Sequence, residues 1–338
     1  MTTTATKDVS AKAGRGSTRT RGLIHWAKGQ YPLYILIALL IVAALSTDSF
    51  FTARNLTNLI LQASVIGIVV LAQFLIVLTG GIDISVGSVV GLAGVMSAMI
   101  IGGASVPLAI IVAIAVGVLI GLLNGYFVAF RGLEPFIVTL GMLSLARGLV
   151  YTFTEGVPVQ PQAENFRAIA TATILGFPLI GIIWLVLALA VWFMARRTVF
   201  GRRIFAIGSS PEAAYASGVP VKQTLLAVYI IAGAMVGFAG FLLASRVGVG
   251  TPTAGTLYEL DSIAAVVIGG ASLRGGKGSV LGAVFGTLIF GIITNLLVLL
   301  NVSTFLQDAF RGGLILVAVV MTTVHFRSGK KKTVLSIP

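Results

Sequence analysis

A chain of 338 residues that is 57% hydrophobic and only 10% charged is no ordinary soluble domain, where about a quarter of residues are charged. Its net charge of +13 invites a nucleic-acid reading, yet the basic residues gather where one membrane face is expected and lack the interleaved aromatics of a base-stacking groove. The absence of cysteine excludes disulfides, thiolate metal sites and cysteine nucleophiles.

Taken in order, residues 1–30 are polar and basic and read as a disordered cytoplasmic tail. A basic start before an apolar run resembles a signal peptide. No convincing cleavage site follows Ala44, so an uncleaved first span is expected. The fold class is all-α: a polytopic membrane bundle over residues 31–326, followed by a basic cytoplasmic tail at 327–338. Ten spans are predicted, at about 32–47, 55–78, 85–101, 107–129, 135–153, 176–195, 223–244, 260–272, 279–300 and 305–325. The eighth is too short for a straight crossing and reads as broken, tilted or re-entrant, which is tolerated only where protein surrounds it; nine or eleven crossings are the alternatives. With the N-terminus inside, 18 of the 23 Lys and Arg residues face inward, so both termini are expected in the cytoplasm. His25 and His325 lie at the outer ends of the first and last apolar segments, so no embedded histidine metal site is expected.

Polar groups inside apolar runs are the candidate functional residues. In the second span Asn55, Asn58, Gln62 and Gln73 fall within about 60° of one another on a helix. Amides facing lipid are costly, so this stripe should face the bundle. It forms either a polar wall of a translocation path for a hydroxylated solute or a set of amides bonding across helices. Gly80 to Ser88, GGIDISVGS, joins the second and third spans; Asp83 or Ser85 can cap the next helix. A similar stretch recurs at Gly269–Ser272 and Gly278–Ser279, at offsets of 189 and 191 residues. Arg147, inside the fifth span, needs backbone carbonyls or a carboxylate; Asp308, Asp261 and Glu155 are the carboxylate candidates. Glycines four apart, as in Gly117/Gly121, Gly233/Gly237 and Gly282/Gly286, allow close helix packing within one chain or between copies.

The most basic internal loop is 196–222, with Arg196, Arg197, Arg202, Arg203 and Lys222. Within it a short helix is predicted over Pro211–Ser217. Ser210 caps it, Pro211 suits its first position, Gly218 suits the left-handed residue after it, and Pro220 prevents continuation. So short a helix does not persist alone in water and must dock on this chain or on a partner. Enzyme signatures are missing. Near Lys277 a phosphate loop would need glycine where Ala271 stands and Ser or Thr where Gly278 stands.

Thr79–Ser88 (TGGIDISVGS), Glu134–Leu149 (EPFIVTLGMLSLARGL) and Val266–Leu288 (VVIGGASLRGGKGSVLGAVFGTL) together resemble the permease subunits of bacterial ATP-binding-cassette sugar importers, ribose-type monosaccharide branch. The similarity runs from about Tyr31 to Phe326. It implies a transport subunit of the bacterial cell membrane without cofactor or catalytic residues. Its partners would be an ATPase, an extracytoplasmic sugar-binding protein and a second permease copy. Many such permeases carry Glu-Ala-Ala, three residues, then Gly, in a segment that docks on the ATPase. Glu212, Ala213, Ala214 and Gly218 match, with Pro211 opening the helix. The further Ile-x-Leu-Pro does not follow; Val228, Ile230 and Ile231 occupy that region. Asn58, Gln62, Gln73, Asp83 and Arg147 are the candidate path residues. The alternatives are a branched-chain amino-acid permease, against which GGIDISVGS weighs, and an ion-coupled secondary transporter, which would want paired intramembrane carboxylates. An intramembrane enzyme lacks a nucleophile–base pair.

Overall fold

A computed structural model describes residues 31–100, 105–161, 164–314 and 316. The tails expected at 1–30 and 327–338, and most of the second half of the tenth run, lie outside the described residues. The helices are α1 (Tyr31–Ser46), α2 (Ala53–Leu78), α3 (Val86–Ile100), α4 (Val106–Ala129), α5 (Pro135–Thr154), α6 (Ala168–Thr171), α7 (Leu179–Arg197), α8 (Val199–Ser209), α9 (Pro211–Ala216), α10 (Val221–Val247), α11 (Tyr258–Ile268) and α12 (Val280–Leu299). A further helix, α13, covers 304–314. Local chemistry sets several starts. The Thr52 hydroxyl accepts from Asn55 N–H ahead of α2, and Ser279 accepts from Gly282 N–H ahead of α12. Pro135 opens α5, where a missing N–H costs nothing.

Six helices, α2, α4, α5, α7, α10 and α12, are long and apolar enough to cross a membrane; α1 and α3 are apolar but shorter. The core is built around α2, whose most apolar stretch is 83% buried, against 22% for α5. The first is a central post and the second a rim helix with an open face. α10 packs chiefly on α4, then on α3 and α2. The α4–α10 seam explains its glycines: a Cβ at Gly117 would land on the Gly233 carbonyl oxygen, and one at Gly237 on that of Ala113. The Gly282 and Gly286 positions press on Gly269 and Ala265 in the same way. These glycine pairs therefore serve packing within the chain. α1 lies on α12 and closes a second apolar cluster with Leu36, Phe50, Ile289 and Ile292.

Three features depart from the sequence reading. The fold is the expected helical bundle, with one unforeseen small hairpin, β1 (Thr173–Ile174) with β2 (Phe177–Pro178). Leu175 and Gly176 both have positive φ, +53° and +80°, the backbone of a tight two-residue turn. α7 therefore starts at Leu179, not near 176. The basic loop holds two helices, not one: α8 buries Gly201, Ile204 and Ile207 on a single face. The eighth apolar segment is only partly helical. α11 has 11 residues, about half of the ~30 Å hydrocarbon thickness at 1.5 Å per residue. Before it, 248–257 runs back along α3. Gly250 lies against Val95 and Ala98, Ala254 against Gly91, and Gly255 against Gly87.

Candidate functional site

The turn after α2 is held from three sides. Gly80, at φ +86°, makes the reversal. Gly81 is needed for space: a Cβ there would lie 3.1 Å from the Tyr229 hydroxyl and 3.2 Å from an Ile76 methyl. Fully buried Gln73 turns its amide to the chain beyond. Its nitrogen donates to the Asp83 carbonyl oxygen at 3.0 Å and its oxygen accepts from the Asp83 N–H at 3.2 Å, the orientation that the hydrogen-bond network selects. One side chain thus satisfies both backbone groups of a residue that has no helix or strand to do so. The Asp83 carboxyl group accepts from the Ser85 N–H (2.7 Å) and Ser85 hydroxyl (2.6 Å), an Asx turn leading into α3. From α4, Asn124 Nδ2 donates to Ser85 Oγ at 3.1 Å and to Asp83 Oδ2 at 3.4 Å. From α5, Thr139 Oγ1 accepts from the Ile84 N–H at 3.2 Å. A cavity with about 10 Å³ of water-accessible space lies between Asp83, Ser85, Asn124 and the glycines of the α4–α10 seam, room for about one water.

The rest of the amide stripe lies toward the opposite end of α2. Asn55 and Asn295 on α12 exchange amide hydrogen bonds of 3.0 and 2.8 Å. Asn58 is exposed, in a surface cleft with Ser49, Thr52, Arg54 and Asn55, and Gln62 is half-buried. The stripe therefore divides: Asn55 and Gln73 bond to the fold, while Asn58 and Gln62 sit apart from both.

Arg147 stands near the middle of α5. Its Nη1 donates to the carbonyl oxygens of Pro252 (2.8 Å) and Ala254 (3.0 Å). Of the two kinds of partner considered for it, carbonyls are the ones it meets, and Asp308 instead pairs with Arg311 at 3.6 Å. The guanidinium thus clamps the non-helical stretch 248–257 at its centre. At its start, that stretch is pinned by reciprocal backbone bonds between Gly250 and Val159, 2.9 and 2.8 Å. At its end, the Glu259 carboxylate occupies the space that a Cβ at Gly87 would need. Thr253, Thr256 and Leu260 remain exposed. Among the described residues no hydrogen bond joins Asp83 to Arg147. The sequence reading missed Asn124, Thr253, Thr256 and Glu259. The Pro- and Gly-interrupted TPTAGT at 251–256 was the available signal of broken structure.

Pro211, Glu212, Ala213, Ala214 and Gly218 all come together on α9 and its stop. The Ser210 hydroxyl accepts from the Ala213 N–H at 3.2 Å, and Gly218 is left-handed at φ +78° with open space where a Cβ would stand. Ala214 is buried, whereas Glu212 and Ala213 are exposed and Tyr215 projects with 77% exposure. The preceding helix seats this unit on the bundle. A Cβ at Gly208 would collide with the Leu78 carbonyl oxygen and the Gly276 nitrogen, and a Cβ at Gly275 would lie 2.7 Å from the Gly80 nitrogen. Gly276 N–H donates to the Leu78 carbonyl oxygen at 3.0 Å. The two look-alike glycine turns and the end of α8 thus meet backbone to backbone.

A helical apolar bundle with a capped, projecting short helix between α7 and α10 invites comparison with known proteins. Residues 55–319 match the protein-family model described as "Branched-chain amino acid transport system / permease component". The chain belongs to this permease family. Among its relatives, the ribose import permease protein RbsC of Escherichia coli (strain K12) is 38% identical over 301 residues, 88% of this chain and 94% of the relative. The xylose transport system permease protein XylH of the same strain is 36% identical over 356 residues, 86% of this chain and 91% of the relative. The D-allose transport system permease protein AlsC, also of that strain, is 36% identical over 302 residues, 88% and 92% of the two chains. No solved structure matches the chain. Within this permease, α9 carries the Glu-Ala-Ala-x-x-x-Gly sequence, the block around Asp83 builds the turn after α2, and Arg147 on α5 holds the non-helical stretch 248–257.

Proposed function

We propose that the chain is the membrane subunit of an ATP-binding-cassette importer of the bacterial cell membrane, carrying a ribose-like monosaccharide that an extracytoplasmic binding protein delivers. The observation that carries the sugar assignment is the 36–38% identity, over most of the chain, to three permeases named for ribose, xylose and allose. The broader family name mentions amino acids, and these relatives favour the sugar branch over it. ATP is hydrolysed on a separate subunit. Its docking element is α9, with Glu212 and Tyr215 projecting from a helix whose buried Ala214 faces the chain. Two permease copies form the complete path, and both termini lie in the cytoplasm, the side that receives 18 of the 23 basic residues.

The test is reconstitution in vesicles with the cognate ATPase and binding protein, followed by ATP-dependent uptake of labelled ribose, xylose, allose and leucine. Uptake of at least one of the three sugars, and not of leucine, is expected. Leucine uptake without sugar uptake sinks the assignment.

A further inference from the structure

We infer that the non-helical stretch 248–257 is the solute-contacting wall of the path, that Thr253 and Thr256 offer their hydroxyls to the hydroxyl groups of the passing sugar, and that Arg147 is a positioning residue that holds this wall. The inference rests on the transport reading above and adds to it the residues that touch the solute.

The depth of the stretch comes from its neighbours. It lies along α3, from Ala98 near one end of that helix to Gly87 near the other. Its centre is held by Arg147, near the midpoint of α5. Irregular backbone at such depth is found only where protein buries it or where it lines a water-filled space, since its polar groups have no partner in lipid. This chain buries part of it: Pro252 and Gly255 are covered, while Thr253 and Thr256 are exposed. Two exposed hydroxyls at mid-depth, next to Glu259 whose carboxylate lies against Gly87 of α3, do not suit a surrounding of acyl chains. Water and solute are the surroundings that fit them.

The chemistry suits a neutral polyol. A hydroxyl donates one hydrogen bond and accepts up to two, so it can exchange partners with water and with a sugar. Thr256 Oγ1 donates to the Thr253 carbonyl oxygen at 2.7 Å, which leaves its oxygen able to accept. A path also has to release what it binds, and two hydroxyls make a weaker site than a charged one. Arg147 directs Nη1 at two main-chain carbonyls. It fixes the curvature of the wall through the backbone while the threonine side chains face the solute.

The experiment uses the full chain reconstituted with its ATPase and binding protein. Thr253→Val and Thr256→Val keep side-chain shape at exposed positions. The double variant is expected at normal abundance, with ATP hydrolysis still stimulated by the loaded binding protein. Sugar imported per ATP should fall about tenfold, the scale of two ordinary hydrogen bonds. Because the chain has no cysteine, Thr253→Cys and Thr256→Cys report on surroundings directly. Both should react with a charged, membrane-impermeant maleimide during turnover, and excess sugar should slow the reaction. Adding Arg147→Met to Thr253→Cys should change the labelling rate of the introduced thiol at unchanged abundance, and Arg147→Lys should restore part of it. Wild-type sugar uptake per ATP in the double valine variant, or introduced thiols that react only with a lipid-soluble reagent, would overturn the inference. A wild-type complex that imports no sugar would instead overturn the transport reading.

Discussion

At the scale of single residues, Gln73 and Gln62 lie on one helical stripe but in different surroundings. Gln73→Leu would strip the Asp83 N–H and carbonyl of their partner in a fully buried site, at about 1–3 kcal/mol for each orphaned group. We expect a lower melting temperature in detergent and lower abundance for Gln73→Leu. Half-buried Gln62→Leu should stay within about 0.5 kcal/mol of the wild type. Equal melting temperatures would remove the role given to Gln73. The sequence placed Gln73 on an inward face because helical periodicity is local information. It left the partner open because that partner is main chain in an irregular turn, which no spacing of side chains reveals. Arg147 was legible to the same degree. A guanidinium in an apolar run demands acceptors, yet the acceptors lie 105 and 107 residues away and follow only from the fold.

At the scale of elements, α8 and α9 behave differently when altered. Gly218 is left-handed with empty space around its missing Cβ. Gly218→Val therefore meets only the conformational cost of that region, about 1–2 kcal/mol, and the bundle should tolerate it. Gly218→Val, Glu212→Arg and Tyr215→Ala should each reach the membrane in normal amounts yet co-purify poorly with the ATPase. Normal co-purification of all three removes α9 as the docking element. Gly208→Val is the contrast: its side chain would strike the Leu78 carbonyl oxygen and the Gly276 nitrogen, so abundance itself should fall. The ends of α9 were readable because caps are set by neighbouring residues. α8 was not, since its one apolar face, with Ile204 and Ile207, is interleaved with Arg202 and Arg203. The hairpin escaped notice because Leu175 adopts a positive φ without the Asn-Gly that usually announces such a turn.

At the scale of the whole molecule, the positions of the long helices follow from composition, since about twenty apolar residues in a row have few other fates. The half-helical eighth segment shows the limit of that logic: its length announced a break, and only the packing against α3 shows where the chain goes. The inward bias of basic residues predicts that external protease on sealed cells spares 201–222, and cleavage there would reverse the orientation. The Arg147 clamp has one more consequence. Amide hydrogen exchange in membrane bundles is usually slowest at mid-depth, where helical bonds are continuous and water is scarce. Beyond the Gly250–Val159 pair, the backbone bonds at 251–258 include short turn bonds, such as Ala254 N–H to the Thr251 carbonyl at 3.0 Å and Tyr258 N–H to that of Gly255 at 3.1 Å. With solvent at this wall, deuterium uptake should show a local peak at 251–257, between slow flanks in α10 and α11, so that a stretch packed between helices keeps a shorter clock than either.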